Sequence, residues 1–108
     1  MKTIAVVCAY CMSAGLLIKK MEPFARERDV TIRMVPVRYS QFRDDIVQAD
    51  LVLIEPALSY LNTKIEKTVK SGPQPAIPVA SIDSHDYATL QGEKVFNFAW
   101  DLLEGKAR

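Results

Sequence analysis

Apolar and polar residues alternate in blocks along the chain, and the blocks predict strands separated by helices. Residues 3–8 form an apolar, largely β-branched run, which is typical of a strand buried on both faces. Residues 13–28 predict a helix, in which Pro23 favours a kink. Its apolar positions recur at helical spacing: Leu16, Leu17, Met21 and Phe24.

The middle of the chain repeats this alternation. Residues 30–37 predict a strand with one less buried face, because every second side chain is polar or charged over much of its length. Ser40 is placed to cap a short helix over residues 40–49. Residues 51–54 predict a short buried strand that ends before Pro56. The inward side chains of the short helix would be Phe42, Ile46 and Val47.

The last third predicts two more helices and one strand. Residues 57–70 favour a helix, and the Gly- and Pro-containing stretch 71–78 favours a loop. Residues 78–82 predict the final strand, and Ser84 offers an N-cap for one terminal helix. The apolar positions of that helix are Tyr87, Leu90, Val95, Phe98, Ala99 and Leu102.

Four strands separated by helices predict an α/β fold. The connections would be right-handed crossovers, which produce a parallel sheet with helices on both faces. Ligands and reactive groups gather beyond the carboxyl ends of strands in such sheets. Cys8, Glu55-Pro56 and Asp83-Ser84 follow three of the predicted strands. We therefore expect these loops to converge at one edge.

Composition narrows the class of protein. The 108 residues suit a single domain spanning 1–108, with 49% hydrophobic and 25% charged residues and a formal net charge of +1. This balance, without a basic stripe, argues against a nucleic-acid partner. No apolar run reaches the roughly 18 residues that a membrane span needs, so direct membrane insertion is not expected. The N-terminus lacks a small-x-small cleavage site, which favours a cytoplasmic protein.

Cys8 and Cys11 are the candidate reactive groups. A cysteine pair three positions apart in a cytoplasmic chain favours a catalytic, redox or metal role. No metal is expected, because the sole histidine, His85, is distant and no second cysteine pair exists. A helix that begins near Ser13 would direct its amino terminus at Cys8, lower the thiol pKa and favour bound anions.

Three chemistries and one inert alternative fit this loop. In the first, Cys8 carries a phosphoryl group as phosphocysteine, and backbone amides hold the phosphate oxygens. In the second, a phosphatase of the low-molecular-weight tyrosine class would need an arginine where Ala14 stands, so hydrolysis is disfavoured. The amides proposed to hold the phosphate belong to Ala9, Tyr10, Cys11, Met12, Ser13, Ala14 and Gly15.

The third chemistry is glutaredoxin-like thiol–disulfide exchange between Cys8 and Cys11. It fits less well, because no hairpin signal follows Pro78, as a thioredoxin-like sheet requires. In the inert alternative both cysteines are small buried side chains. A non-catalytic regulatory module would correspondingly tolerate loss of Cys8.

Four other polar side chains and one proline are candidates for roles near Cys8. Ser13 is expected to cap the helix and is also placed to bond a phosphate. Pro56, Tyr60 and Asp83 are candidate site neighbours, although Tyr60 equally suits packing and Asp83 equally suits a turn. His85 is interpreted as a surface residue.

Three segments, in the same order, resemble the enzyme IIB component of the lactose/cellobiose/chitobiose class of the bacterial sugar phosphotransferase system. The family loop reads Cys-Ser-Ala-Gly-Met-Ser-Thr-Ser-Leu-Leu, and the stretch from Cys8 to Leu17 is similar to it. Residues 49–56 are similar to the family's Ala-Asp-Val-Val-Leu-Leu-Gly-Pro segment, and Tyr60 stands where the family has a tyrosine. The third segment contains Pro78, Val79, Ile82, Asp83, Ser84 and Tyr87.

The resemblance implies a phosphocarrier whose fold resembles low-molecular-weight tyrosine phosphatases. Its four-stranded parallel sheet would have the order 2-1-3-4. Cys8 would accept phosphate from a phosphohistidine of enzyme IIA and pass it to a cellobiose-, lactose- or chitobiose-type sugar bound in the membrane enzyme IIC. No cofactor is implied, since the phosphate is carried covalently as phosphocysteine.

Two residues depart from the family loop. Tyr10 and Cys11 replace small residues, and a positive φ at position 11 would make a cysteine there costly. We hypothesise that Cys11 forms a disulfide with Cys8 under oxidation.

Overall fold

The computed structural model describes residues 2–42 and 49–105 as one sheet with helices on both faces. The strands are β1 (Lys2–Cys8), β2 (Ile32–Arg38), β3 (Leu51–Ile54) and β4 (Val79–Ser81). The α-helices are α1 (Met12–Glu27), α2 (Asn62–Lys70), α3 (Ser84–Ala88) and α4 (Gly92–Leu103), and 3-10 turns span Tyr39–Gln41 and Pro56–Leu61. The sheet order is β2-β1-β3-β4, with parallel pairing throughout the described strands. The predicted fold class and strand order are confirmed.

Strand β1 lies at the centre of the sheet, and its alternating side chains enter two cores. Ile4, Val6 and Cys8 pack on the face covered by α1 and α4. Ala5 and Val7 pack on the opposite face, which α2 covers. Burial of each large apolar side chain contributes roughly 1.5–3 kcal/mol. The continuous apolar run that predicted this strand reflects burial from both sides.

The strand register brings Cys8 to the carboxyl edge of the sheet. Cys8 pairs with Arg38 on one side, and the preceding Val7 pairs with Ile54 on the other. The backbone N–H of Glu55 donates to the carbonyl of Val7 at 3.0 Å, so the chain after β3 starts beside the cysteine. The sheet therefore positions Cys8 and Glu55 as neighbours.

The predicted single terminal helix is wrong, because two helices occupy this segment. The break falls at residues 89–91, where Leu90 adopts φ of 52°. Gly92 then begins α4 against the backbone of Lys20, where a Cβ atom would overlap the Lys20 carbonyl group. The break is thus associated with a close helix–helix contact that only glycine permits at this spacing.

The predicted cap of the terminal helix segment is also wrong. Ser84 is the first residue of α3, and Asp83 caps it by accepting a hydrogen bond from the Asp86 N–H at 3.1 Å. Ser40 lies inside the 3-10 turn Tyr39–Gln41, and residues 43–48 of the short helix that it was predicted to cap lie outside the described residues. Phe42 is buried as predicted, whereas Ile46 and Val47 lie outside the described residues.

The predicted helix over residues 57–70 begins as a tighter 3-10 turn. Pro56 starts this turn, and the Leu58 N–H donates to the Glu55 carbonyl at 2.9 Å, three residues back. The α-helical pattern is established only from Asn62 onward. This turn keeps Pro56 and Tyr60 close in sequence to the carboxyl edge of β3.

Helix α4 is fastened to the end of α1 through Arg28. The guanidinium of Arg28 donates to the Asn97 side-chain oxygen at 2.7 Å. It also lies 5.6 Å from the ring centroids of both Phe96 and Trp100, which stack on each other. This cation–π arrangement joins the two helices on one face of the sheet.

Candidate functional site

Cys8 stands at the carboxyl end of β1, and α1 begins four residues later. Its side chain is fully buried, and its sulfur lies 3.6 Å from the Val37 carbonyl oxygen. Helix α1 starts at Met12, and the first N–H groups of an α-helix have no acceptor within the helix. Together with the helix dipole, these groups favour negative charge beside the cysteine.

A disulfide joins Cys8 to Cys11, with 5.2 Å between the two Cα atoms. Cys11 is only partly buried, in contrast to Cys8. In this state the sulfur of Cys8 is not a thiolate and cannot act as a nucleophile. The hypothesised pairing of the two cysteines is the state that the structure describes.

Cys11 adopts a left-handed backbone conformation, with φ of 64° and ψ of 3°. A residue with a Cβ atom is disfavoured there by roughly 1–2 kcal/mol. Cys11 is also the N-cap of α1, but its side chain makes no capping hydrogen bond. The positive φ anticipated from the loop sequence is therefore present, and a cysteine occupies it.

A chain of polar contacts links the start of α1 to the ends of β3 and β4. The hydroxyl groups of Ser13 and Tyr87 lie 3.0 Å apart. The Tyr87 hydroxyl donates to Oε2 of Glu55 at 3.4 Å, and the same oxygen accepts from the Ala9 N–H at 3.4 Å. Three segments distant in sequence therefore meet beside Cys8, as the convergence of strand ends predicted.

The environment of Tyr87 raises the pKa of its hydroxyl group. Burial is the largest cause, and the negative charge of Glu55 and the hydrogen bond to it act in the same direction. The hydrogen bond with Ser13 opposes them and lowers the pKa. Tyr87 is consequently protonated near neutral pH and able to donate to Glu55.

The residues predicted to hold a phosphate form the loop and the first turn of α1. The N–H of Gly15 donates to the Cys11 carbonyl at 3.1 Å, which commits this amide to the helix. The N–H of Ala9 faces Glu55, and the side chain of Ala14 is buried in the core. The amides of Tyr10, Cys11, Met12, Ser13 and Ala14 precede that first helical hydrogen bond and stay predicted phosphate ligands.

The other predicted site residues divide into two groups. Pro56 and Tyr60 belong to the turn after β3, at the same sheet edge as Cys8. Asp83 follows β4 at that edge, and its carboxylate caps α3. Ser13 does not cap α1, because the helix begins one residue before it; its hydroxyl contacts Tyr87 instead.

The sequence prediction placed Glu55 at the converging sheet edge without a role in the site and left Tyr87 out, although both contact the loop or its helix. Glu55 is 8% exposed and is the buried charged residue of the described chain. Its position at the end of a central strand, next to β1, was the available signal. Tyr87 gave no such signal, because its spacing matched an apolar helix face.

Large apolar side chains are exposed around the loop. Two of them flank Cys11 in the chain, a third follows one helical turn later, and the fourth lies in the turn after β3. Such exposure on one region of a small protein is typical of a surface that contacts another protein. The side chains and their exposed fractions are Tyr10 at 87%, Met12 at 80%, Leu16 at 50% and Tyr60 at 78%.

The fold and the site define a class: a phosphatase-like α/β domain with a cysteine loop at the carboxyl edge of a central parallel strand. Residues 3–98 match the family described as "PTS system, Lactose/Cellobiose specific IIB subunit". The chain belongs to this family of phosphotransferase-system components, as the resemblance of its three segments indicated.

Curated relatives agree with this assignment. The oligo-beta-mannoside-specific EIIB component of Bacillus subtilis is 31% identical over 103 residues, covering 95% of this chain and 97% of the relative. The galactose-specific EIIB component of Lactococcus lactis is 24% identical, with 94% and 96% covered.

Solved structures show the same fold. The lactose-specific IIB domain from Streptococcus pneumoniae superposes with a TM-score of 0.80 at 16% identity, covering 93% of this chain and 95% of that one. The cellobiose-specific IIB component from Borrelia burgdorferi gives a TM-score of 0.77 at 24% identity, covering 98% and 94%. Within residues 2–42 and 49–105, no helix combines the length and apolar character needed to cross a membrane.

Proposed function

We propose that this chain is a phosphocarrier domain that holds a phosphoryl group on the sulfur of Cys8. The observation that supports this most directly is the position of Cys8, at the end of β1 and facing the amino terminus of α1. Membership of the IIB family supports the same role. No cofactor is required, because the phosphate is carried covalently.

The phosphate donor in this proposal is a phosphohistidine of an enzyme IIA. The Cys8 thiolate attacks phosphorus in line, the phosphorus–nitrogen bond breaks, and its electron pair returns to the imidazole ring. The loop and first-turn amides from Tyr10 to Ala14, together with the helix dipole, stabilise the charge on the phosphate oxygens. The exposed Tyr10 and Met12 provide apolar contact area for the partner.

The acceptor in this proposal is a sugar hydroxyl group in the membrane enzyme IIC. The hydroxyl oxygen attacks phosphorus, the sulfur–phosphorus bond breaks, and Cys8 leaves as a thiolate that is ready for another cycle. Named relatives act in systems for oligo-beta-mannosides, galactose and cellobiose. We extend this to a sugar of the lactose and cellobiose type for the present chain.

An arginine is absent from the loop, since Ala14 stands at the position where tyrosine phosphatases carry one. Without a guanidinium fork, the loop offers less stabilisation to the transition state of hydrolysis. This composition supports a protein that transfers its phosphate to a partner over one that releases it to water.

Intact mass spectrometry tests the proposal. Reduced wild type, Cys8→Ser and Cys11→Ser are each incubated with phosphoenolpyruvate, the upstream phosphocarriers and the cognate enzyme IIA. We expect wild type and Cys11→Ser to gain one phosphate, about 80 Da, and Cys8→Ser to gain none. Equal phosphate on Cys8→Ser, or none on reduced wild type, would contradict the proposal.

A glutaredoxin-like oxidoreductase is the second candidate, and the Cys8–Cys11 disulfide is the observation that favours it. The sheet argues against it, because β4 pairs in parallel with β3 and the described chain continues into helices, where a thioredoxin-like fold has an antiparallel hairpin.

A further inference from the structure

We propose that Cys8 and Cys11 form a redox pair that low-molecular-weight disulfides oxidise, and that the resulting disulfide reversibly blocks phosphorylation. This inference rests on the proposed function, because phosphate acceptance at Cys8 is the activity that it regulates. The substrate class of this second chemistry is a small disulfide such as oxidised glutathione.

Disulfide formation and phosphorylation exclude each other, because both use the sulfur of Cys8. The sulfur of Cys8 bonds either to Cys11 or to phosphorus, and the disulfide that the structure describes leaves no lone thiolate for attack. The Cα atoms lie 5.2 Å apart, a separation within the usual range for disulfides. The bond lies within the loop that joins β1 to α1.

The backbone of Cys11 supports a specific role for its thiol. The residue holds φ of 64°, which disfavours every residue with a Cβ atom, and the similar family loop has glycine at this position. Its side chain makes no capping bond that would compensate for the cost. The bond to Cys8 is the interaction that accounts for a cysteine at this position.

Relative exposure sets the order of the reaction. Cys11 is partly exposed and Cys8 is fully buried, so the Cys11 thiolate attacks the small disulfide first. The disulfide breaks, one small thiol leaves, and a mixed disulfide remains on Cys11. The Cys8 thiolate then attacks the Cys11 sulfur and expels the second small thiol. The protein loses two electrons and two protons, and the small disulfide is reduced to two thiols.

Phosphorylation should in turn protect the pair. A phosphorylated Cys8 has no thiolate with which to attack the mixed disulfide on Cys11, so oxidation stops at that stage. Treatment of the phosphorylated protein with oxidised glutathione should yield a glutathione adduct on Cys11 and no internal disulfide. The unphosphorylated protein should yield the internal disulfide without an adduct.

The experiment compares wild type with Cys11→Gly, which removes the second thiol and suits the left-handed backbone. Both proteins are treated with oxidised glutathione, separated from it, weighed intact, and incubated with the phosphoenolpyruvate system. We expect the mass of oxidised wild type to fall by two hydrogens. Its rate of phosphorylation should fall to about one tenth of the reduced rate or lower, and dithiothreitol should restore the full rate. Cys11→Gly should be phosphorylated equally before and after treatment.

The outcomes separate this inference from the proposed function. If reduced wild type accepts phosphate and oxidised wild type accepts it equally well, the regulation is wrong and the phosphocarrier role stands. Loss of phosphorylation in treated Cys11→Gly, with a glutathione adduct on Cys8, would also overturn the role of Cys11. If reduced wild type accepts no phosphate, the proposed function fails and the regulation fails with it.

Discussion

The carboxylate of Glu55 accepts a hydrogen bond from the backbone N–H of Ala9, the residue that follows Cys8, at 3.4 Å. This amide is one of those expected to face a phosphate. A buried negative charge thus stands on the loop before any phosphate arrives. Glu55 and a phosphoryl group on Cys8 would repel each other, which favours onward transfer of the phosphate.

Replacement of Glu55 by Gln should stabilise the phosphorylated form. One charge–charge repulsion of about 1 kcal/mol corresponds to a shift of about fivefold in the equilibrium with phosphorylated enzyme IIA. The ratio of phosphorylated to free protein, measured by intact mass at fixed enzyme IIA, reports this shift. Glu22→Gln, an exposed change on α1, is the control. An unchanged ratio in Glu55→Gln would show that the carboxylate does not act on the phosphate.

The raised pKa of Tyr87 predicts a loss of stability at high pH. Below the usual tyrosine pKa of about 10, the hydroxyl is protonated in both the folded and the unfolded chain. As the pH rises above that value, the unfolded chain loses this proton first, so the free energy of unfolding decreases until the folded pKa is passed.

Urea unfolding of wild type and Tyr87→Phe between pH 8 and about 11 checks this expectation. Near neutral pH the variant should be less stable by about 1 kcal/mol, because it loses the hydrogen bonds to Ser13 and Glu55. Above about pH 10 the difference in free energy of unfolding between the two proteins should shrink, because only wild type carries the hydroxyl that ionises. Parallel pH profiles for the two proteins would contradict the assignment.

The backbone at position 11 predicts an unusual order of stability. Under reducing conditions, Cys11→Gly should be more stable than Cys11→Ala by about 1 kcal/mol, because φ of 64° disfavours a Cβ atom. Gly15 provides the matched comparison, since it lies within α1 with open space where a Cβ would stand. Gly15→Ala should stabilise the protein by about 0.5–1 kcal/mol. If urea unfolding found Ala more stable than Gly at position 11 as well as at position 15, the left-handed backbone at position 11 would be refuted.

The exposed apolar side chains predict a defect in partner binding. The double variant Tyr10→Ser/Met12→Ser should raise the KM for phosphorylated enzyme IIA by about tenfold, because two exposed anchors are removed. The kcat should change little, since neither side chain is proposed to touch phosphorus. Lys70→Ser, at the exposed end of α2, serves as the control. A fall in kcat without a change in KM would place these residues in the reaction itself.

Much of the architecture follows from local pattern. The strand predicted over residues 51–54 has those bounds in the structure, because all four of its side chains are buried and charged residues flank the run on both sides. The break at Leu90 was not predicted; Gly92, two residues later, was a weak local signal for it, and the close contact of Gly92 with Lys20 depends on how the helices pack. A contact between residues so far apart leaves no trace in hydrophobic spacing.

The site was predictable only in part for a similar reason. The position of Cys8 follows from a strand that runs into a helix, which is a local signal. The Ser13–Tyr87 contact joins residues 74 positions apart, and the Tyr87–Glu55 contact joins residues 32 positions apart. Their proximity depends on which strands are neighbours. The sequence placed Glu55 at this sheet edge without indicating which side chains touch it.

The close contact between Gly92 and Lys20 makes the last helix a brace for the first. Lys20 lies eight residues, or about 12 Å, beyond the start of α1. Helix α4, which contributes no group to the proposed reaction, therefore fixes the direction in which the amino terminus of α1 points at Cys8. A larger residue at Gly92 would push α1 away from the last helix. The cysteine loop would then keep its residues and lose its alignment with the amino terminus of α1.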